Sequence, residues 1–556
     1  MKPRAAHLGS RHPEPLLLRQ ASFFLYGLRG YDRRLHNLIG LQAPNSVLVF
    51  GNGPFQRRVL FGTLVCLLAT VLHHMALLVL ARPVDHWCRP PPGYEHVPLQ
   101  EWRNLSLPRR ADGGPDQCAR YEPPLPPPED YNRTEVPCEA WDYDLSQGGP
   151  TITSQWDLVC HRRRLMVGLM GTQLIGGAVA APLAGLGADV LGRRPVVCTA
   201  GRGLRVFRPG HLPGAVTPRD SRTGFVTLAL CAAAILSSLW LAMAARFTYS
   251  WAVVQASIML PALLMAPATY WMEESPRWLT VTWKFAEAEQ VVQRAARVNG
   301  LNLCELGPLF REVVNNFKSR QRSLPLTCTV WALVRSSHIR ARTIIVCGCW
   351  FFAFNAVVIL RPQTGLRDFT PSSAVVMYVT GPILVTHYLF MKTWGRRRLL
   401  SLLMALLSVL SIIMAVLTAA SVAPTLLPTG IALVMICVLV VLCVYTIEVF
   451  PTVVRGAGLA GATLSGRLGA LVAVVVRNLV RIDVVQSDVV HLVVVSLGAL
   501  CFGLLALRLP ETSVQRVTDT IQEAEEEELI RVESLFTIFI RTRSPHCPAK
   551  ASSEGS

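Results

Sequence analysis

Long apolar runs separated by polar, arginine-rich connections occupy most of this chain. The first lies between Arg58 and Ala81 and reads VLFGTLVCLLATVLHHMALLVLA. A helix needs roughly 20 mostly apolar residues to cross a bilayer, and this run has them. The second, Leu165–Leu191, is rich in glycine and alanine, which let helices approach closely in lipid. Two more follow at Gly224–Ala245 and Ser250–Met272. After a hydrophilic segment come six others: Thr343–Leu360, Ser372–Met391, Leu399–Ala420, Leu426–Ile447, Ala457–Val476 and Val489–Leu509. The pattern predicts an all-α polytopic membrane protein of about ten spans, four before the hydrophilic segment and six after it.

The connections set the topology. Residues 1–57 are basic and hold no apolar core of a signal peptide near their start, so the N-terminus is expected in the cytosol. Arg82–Arg164 is rich in proline and acids, and carries Cys88, Cys118, Cys138 and Cys160 with two sequons, at Asn104 and Asn132. Together these features predict a glycosylated, oxidised extracellular loop. Four cysteines allow three pairings, and the sequence does not choose among them. Arg162, Arg163 and Arg164 stand on the proposed outer side against the positive-inside rule, and the sequence offers no reason for it. Residues 273–342 are basic and read as a cytosolic loop, with an amphipathic helix, KFAEAEQVVQRAARVNG, stopped by Gly300. The expected division is a cytosolic segment 1–57, an N-terminal bundle 58–272 with the outer loop 82–164, the cytosolic loop 273–342, a C-terminal six-helix bundle 343–510, and a cytosolic tail 511–556.

Composition narrows the class further. Of 556 residues 51% are hydrophobic and only 16% charged, against about a quarter charged in soluble domains. The net charge of +18 belongs to the cytosolic connections, and no nucleic-acid-binding motif accompanies it. There is no Walker loop, no H-E-x-x-H and no paired C-x-x-C, so neither an enzyme, a cofactor nor a metal site is expected. His73 and His74 are neighbours on a helix and point apart, a poor arrangement for one ion.

One turn carries recognisable chemistry. Gly185-x-x-x-Asp189-x-x-Gly192-Arg193-Arg194 closes the second span. Its glycines permit a tight turn, its arginines sit at the lipid–water boundary, and Asp189 can brace the N-terminus of a neighbouring helix. The pattern resembles the signature loop of the major facilitator superfamily. TITSQWDLVC (Thr151–Cys160), EESPRWL (Glu273–Leu279), YTIEVFPTVVRGAGLA (Tyr445–Ala460) and LPET (Leu509–Thr512) follow in order, with GPFQRRVL before the first span and DHWCR after it. In this spacing they resemble the organic cation, anion and zwitterion transporters of solute carrier family 22, over most of the chain and on a divergent branch. The resemblance implies twelve helices in two six-helix halves, a glycosylated loop after helix 1, and alternating access around a central cavity. Between Arg194 and Gly224 the family would place helices 3 and 4. This chain has a polar stretch there, dotted with Arg202, Arg205, Arg208, Arg219 and Arg222, so ten spans are expected instead of twelve.

Arg467 is the leading substrate-binding candidate, because a guanidinium in mid-span almost always faces a cavity or a partner. The resemblance places an arginine here in anion carriers, where it would contact a carboxylate or sulfate. A structural arginine bonding backbone carbonyls is the equal alternative. Trp350 and Phe354 are the aromatic candidates. Other cavity positions depart from the anion carriers: Val357 and Val358 replace paired tyrosines, Leu384 a basic residue, and Leu439 and Cys443 aromatics. In the second half's version of the signature loop, MKTWGRRRLL, Lys392 replaces the acid. Glu274, Arg277, Glu448 and Arg455 fit cytoplasmic gate and packing charges. The expected protein is a plasma-membrane carrier of small organic ions, leaning to anions, that works without ATP and has the lipid bilayer as its other partner. The competing expectation is a non-transporting receptor or an inactive variant.

Overall fold

The computed structural model describes residues 53–81, 84–109, 114–125, 133–146, 149–196, 219–247, 250–270, 272–301, 303–320, 331–359, 383, 386–422, 427–479, 484–512 and 518–527. Among them, seven helices are long and apolar enough to cross a membrane, and two shorter apolar runs lie at Val226–Leu241 and Trp251–Leu264. A further helical stretch covers residues 386–393; the rest of the expected span Ser372–Met391, apart from Ile383, lies outside the described residues.

Helix α1 (Pro54–Leu80) starts with Pro54 at its first position, where the missing N–H costs nothing. The outer segment follows, with α2 (Leu99–Leu105) and two small antiparallel sheets, β1 (His86–Cys88) with β4 (Trp141–Tyr143) and β2 (Ala119–Glu122) with β3 (Thr134–Pro137). The all-α expectation did not include these strands. They are three or four residues long, too short for alternation to register. They fold around their own core of Trp87, Cys88, Trp102, Leu107, Cys138 and Trp141, and the Trp102 indole N–H donates to the Cys88 carbonyl at 2.9 Å. Cys88 is bonded to Cys138 and Cys118 to Cys160. Asn104 is exposed on α2; Asn132 lies outside the described residues.

Helix α3 (Arg163–Val190) follows the strand-bearing segment, and residues 197–218 of the polar stretch lie outside the described residues. Helix α4 (Arg219–Phe247) begins at Arg219 rather than Gly224, because the apolar pattern marks only the lipid-covered part of a helix. Helix α5 (Trp251–Tyr270) completes the first group. After it, α6 (Pro276–Val281) is capped by the Ser275 hydroxyl, which accepts from the Trp278 N–H. The amphipathic α7 (Phe285–Asn299) ends on Gly300 at φ +70°, and α8 (Leu303–Arg320) follows it. The side chain of Asn299 ties α7 to the start of α1, accepting from the Phe55 N–H at 3.0 Å and donating to Gln56 Oε1 at 3.1 Å.

The second half comprises α9 (Ser337–Ile359), α10 (Arg396–Ala419), α11 (Leu427–Val449), α12 (Arg455–Leu479) and α13 (Val484–Ala506). Met404, Leu407, Val438, Val441, Tyr445 and Phe450 form the centre of its core. Helices α10 and α13 are pinned by Ser408 and Ser496, whose hydroxyls are 2.9 Å apart. In lipid such a bond replaces the hydrophobic driving force that helices have in water.

The halves meet along two seams. Helix α3 packs along α12, and α4 touches α11. Cys231 of α4 is buried in the core of the second half.

Candidate functional site

The Asp189 end of the α3–α12 seam is closed by the signature loop. Gly185 stacks against the Gly456 carbonyl and the Ala460 Cβ, and a side chain there would displace α12. One turn later Asp189, 1% exposed, accepts from the Gly456 N–H at 2.9 Å and the Ala457 N–H at 2.8 Å. A carboxylate thus sits on the two orphan donors and the positive dipole end of α12. The Asp189 carbonyl accepts from the Trp278 indole at 2.9 Å, fixing α6 beneath the turn.

Gly192 has φ +102°, which lets the chain turn sharply toward Glu274. The Glu274 carboxylate accepts from the Arg193 N–H at 3.0 Å and the Arg194 N–H at 2.8 Å. Burial holds the Arg193 guanidinium below its ordinary pKa, while Asp189 and Glu274 work against that shift. The second half repeats the device. Gly395 has φ +89°, and Glu511 accepts from the Arg396 N–H at 2.9 Å and the Arg397 N–H at 3.2 Å. Arg396 also pairs with the buried Glu448 at 3.5 Å. At the mirror position of Asp189, Lys392 is exposed, so the brace is one-sided.

A strap from the tail joins the halves. Thr518 and Asp519 accept through their carbonyls from the Thr452 and Val453 N–H groups at 3.1 and 3.3 Å. The Asp519 carboxylate takes the Thr452 hydroxyl at 2.6 Å and pairs with Arg277 at 3.3 Å. Arg455, buried, donates to Thr452 Oγ1 at 3.1 Å and to the Phe450 carbonyl at 3.3 Å. Arg277 and Asp519 are partly exposed, so this pair contributes about 1 kcal/mol or less. Asp519→Asn is therefore expected to leave folding intact and lower detergent-solubilised thermal stability only slightly. A large drop would mean that the strap also holds the core of the second half.

Further out along the seam, the Arg467 guanidinium lies against Gly177 of α3, with His74 of α1 in electrostatic reach. Phe354 stacks on Trp350, ring centroids 5.5 Å apart and planes at 19°, and both rings face Gly466 beside Arg467. The three sequence candidates are thus brought together. Trp350, however, is 4% exposed and its indole N–H is committed to Thr446 Oγ1 at 3.0 Å. It supports Phe354 from behind and does not offer a free face. Leu439 and Cys443 pack at the margin of the core. Leu384 and the side chains of Val357 and Val358 lie outside the described residues. The sequence gives no sign of Asp519, presents His74 only as half of a poor metal pair and Glu511 only within LPET, although the repeat of a basic turn after Gly192 and Gly395, each answered by a glutamate, is visible in it.

Residues 217–523 match the family model described as sugar (and other) transporter. The chain is 27% identical over 525 residues to solute carrier family 22 member 7 of Rattus norvegicus, covering 86% of this chain and 97% of that protein. It is 25% identical over 553 residues to the beta-alanine transporter of Drosophila melanogaster (85% and 87%). To the organic cation transporter protein of the same organism it is 24% identical over 529 residues (85% and 92%). The proton:xylose symporter XylE bound to 6-bromo-6-deoxy-D-glucose aligns with a TM-score of 0.47 and 14% identity, over 86% of this chain and 98% of that one. The family match and the helical architecture define a multi-pass solute transporter of the major facilitator superfamily, not an enzyme. Within it, the chain belongs to the sugar (and other) transporter family, as a member of solute carrier family 22.

Proposed function

We propose that this protein carries small organic anions across the plasma membrane by alternating access, without ATP and with both termini in the cytosol. The observation behind the anion preference is Arg467, a buried guanidinium at mid-span on the seam between the halves, flanked by Phe354. A fixed positive charge in low dielectric favours a carboxylate or sulfate and repels cations. The relatives' names include a beta-alanine transporter and an organic cation transporter, a zwitterion and cations, so the anion preference rests on Arg467 and not on these relatives. In this reading α4 and α5 take the places of the fifth and sixth helices of the twelve-helix plan, and the third and fourth are missing. The contact of α4 with α11 across the seam supports that placement. The outer domain, oxidised and glycosylated at Asn104 and Asn132, faces the extracellular side.

The test is uptake of a panel of radiolabelled organic anions and cations in cells that display the protein at the surface. Arg467→Ala is expected to lower anion uptake about tenfold or more, the loss of one charge-assisted contact, and Arg467→Lys to retain part of it. Anion uptake that is unchanged in Arg467→Ala assigns the arginine to structure and removes the anion preference.

A further inference from the structure

Residues 518–527 follow α13 and lie across both halves. Their start is bonded to the turn Thr452–Val454 of the second half and, through the Asp519 carboxylate, to Arg277 of the first. Arg193 of the signature loop is within electrostatic reach of the same carboxylate. Further along, Ile521 packs against the core of the second half. Ala524 is 1% exposed, and its carbonyl accepts from the buried Arg342 of α9 at 3.5 Å. Thr520 sits at the centre of this strap and caps the helical stretch 521–527. Its hydroxyl accepts from the Glu523 N–H at 3.2 Å. The Glu523 carboxylate returns the contact, accepting from the Asp519 N–H at 2.9 Å and the Thr520 N–H at 3.4 Å. A helix this short is marginal in water on its own, so docking is what keeps it ordered.

The sequence after Thr520 adds a second feature. Of the eight residues that follow it five are glutamates, at 523 and 525–528. A hydroxyl followed by a run of carboxylates suits a protein kinase whose peptide groove is lined by Arg and Lys. We propose that Thr520 is a phosphorylation site for such an acid-directed kinase, and that the phosphate releases the strap from both halves. This goes beyond the carrier reading and shares with it only the cytosolic placement of the tail. Thr520 Oγ1 attacks the γ-phosphorus of ATP, the bond to the bridging oxygen breaks, ADP leaves, and the hydroxyl proton passes to the base of the kinase. Thr520 is 5% exposed when docked, so the kinase takes the undocked form, which local opening of so small a segment populates. The product cannot dock again. The phosphate would carry about −1.5 to −2 charges into a buried position. The backbone donors it could use are already held by the Glu523 carboxylate, and the Asp519 carboxylate is the next residue along the chain. Like-charge repulsion and desolvation both oppose the docked form, while a free helix tolerates negative charge at its start.

The test uses the full chain, purified into lipid nanodiscs and incubated with a purified acid-directed serine/threonine kinase and Mg·ATP. Fragment-ion mass spectrometry locates the phosphate, and amide hydrogen exchange over residues 518–527 reads docking. Phosphate is expected on Thr520, and exchange of the strap should then accelerate about tenfold or more. Thr520→Val should take no phosphate at this position and keep slow exchange in the presence of the kinase. Arg277→Gln, which weakens docking by one partly exposed ion pair, should be phosphorylated up to about fivefold faster than the parent. Thr520 left unmodified in both the parent and Arg277→Gln overturns the proposal, as does a phosphate placed on Thr518 instead. Phosphate on Thr520 with unchanged exchange of the strap overturns the release. Neither readout involves transport, so a chain that carries no organic ion leaves the proposal standing. A C-terminal epitope that antibody reaches on intact cells overturns the cytosolic placement, and with it the phosphorylation in cells.

Discussion

Replacing Asp189 by alanine is expected to open the signature-loop end of the protein. The carboxylate is buried and accepts two backbone N–H groups at the start of α12, with the helix dipole behind them. Hydrogen bonds to a charged group contribute about 1.5–3 kcal/mol each, so losing both removes roughly 3 kcal/mol or more from the closed state. The two donors are then left facing Gly185 and Trp278, with no room for water without separation of the helices. A shift of that size changes the ratio of closed to open forms about a hundredfold. Val453, 1% exposed beneath the seam, reports it: a cysteine there is shielded in the closed state. Alkylation of Val453→Cys by maleimide in inside-out vesicles is expected to accelerate strongly when Asp189→Ala is added, and only modestly with Asp189→Asn, which keeps one acceptor. Equal alkylation rates in all three backgrounds would show that the strap through Asp519, and not Asp189, keeps this end shut.

What the sequence made legible follows from how local each interaction is. The spans were visible because lipid imposes long apolar runs. The turn at Gly192 and the end of α7 at Gly300 were visible because positive φ asks for glycine. Asp189 was singled out because its spacing from Gly185 and Gly192 is short and its helix-capping role general. Its partners, Gly456 and Ala457, lie more than two hundred positions away and appear only when α3 and α12 come together. The same distance hid the pairing of Arg277 with Asp519, which is an ordinary acid in an acidic tail until the strap docks. His74 was set aside as half of a poor metal pair. It gained a neighbour in Arg467 because α1 and α12 converge, which no periodicity encodes. Trp350 went the other way: an aromatic near a cationic site is a fair ligand candidate, yet the Thr446 hydroxyl had already claimed its polar edge.

The outer domain sets the second large expectation. Its core is three tryptophans, Leu107, Val159 and two cysteines beneath strands of three or four residues, too little apolar surface to hold so long a loop by burial alone. Cys88–Cys138 ties the two ends of that core, spanning 50 residues, and closing a loop of this size is worth about 4 kcal/mol in the chain-entropy picture. Cys88 is itself fully buried, and its carbonyl accepts from the Trp102 indole, so the bridge also fixes one of the three tryptophans of the core. Replacing both cysteines by serine avoids a stray thiol and buries two hydroxyls in their place. The double variant is expected to lose most surface display, measured by biotinylation of intact cells. Its remaining surface fraction should be cut by external trypsin within residues 84–146 far faster than the parent. The membrane helices do not depend on this bridge, because their packing is set by the seams of α3 with α12 and α4 with α11. Undiminished display with an unchanged cleavage rate would mean that Cys118–Cys160, which ties the loop to the start of α3, holds the outer domain by itself.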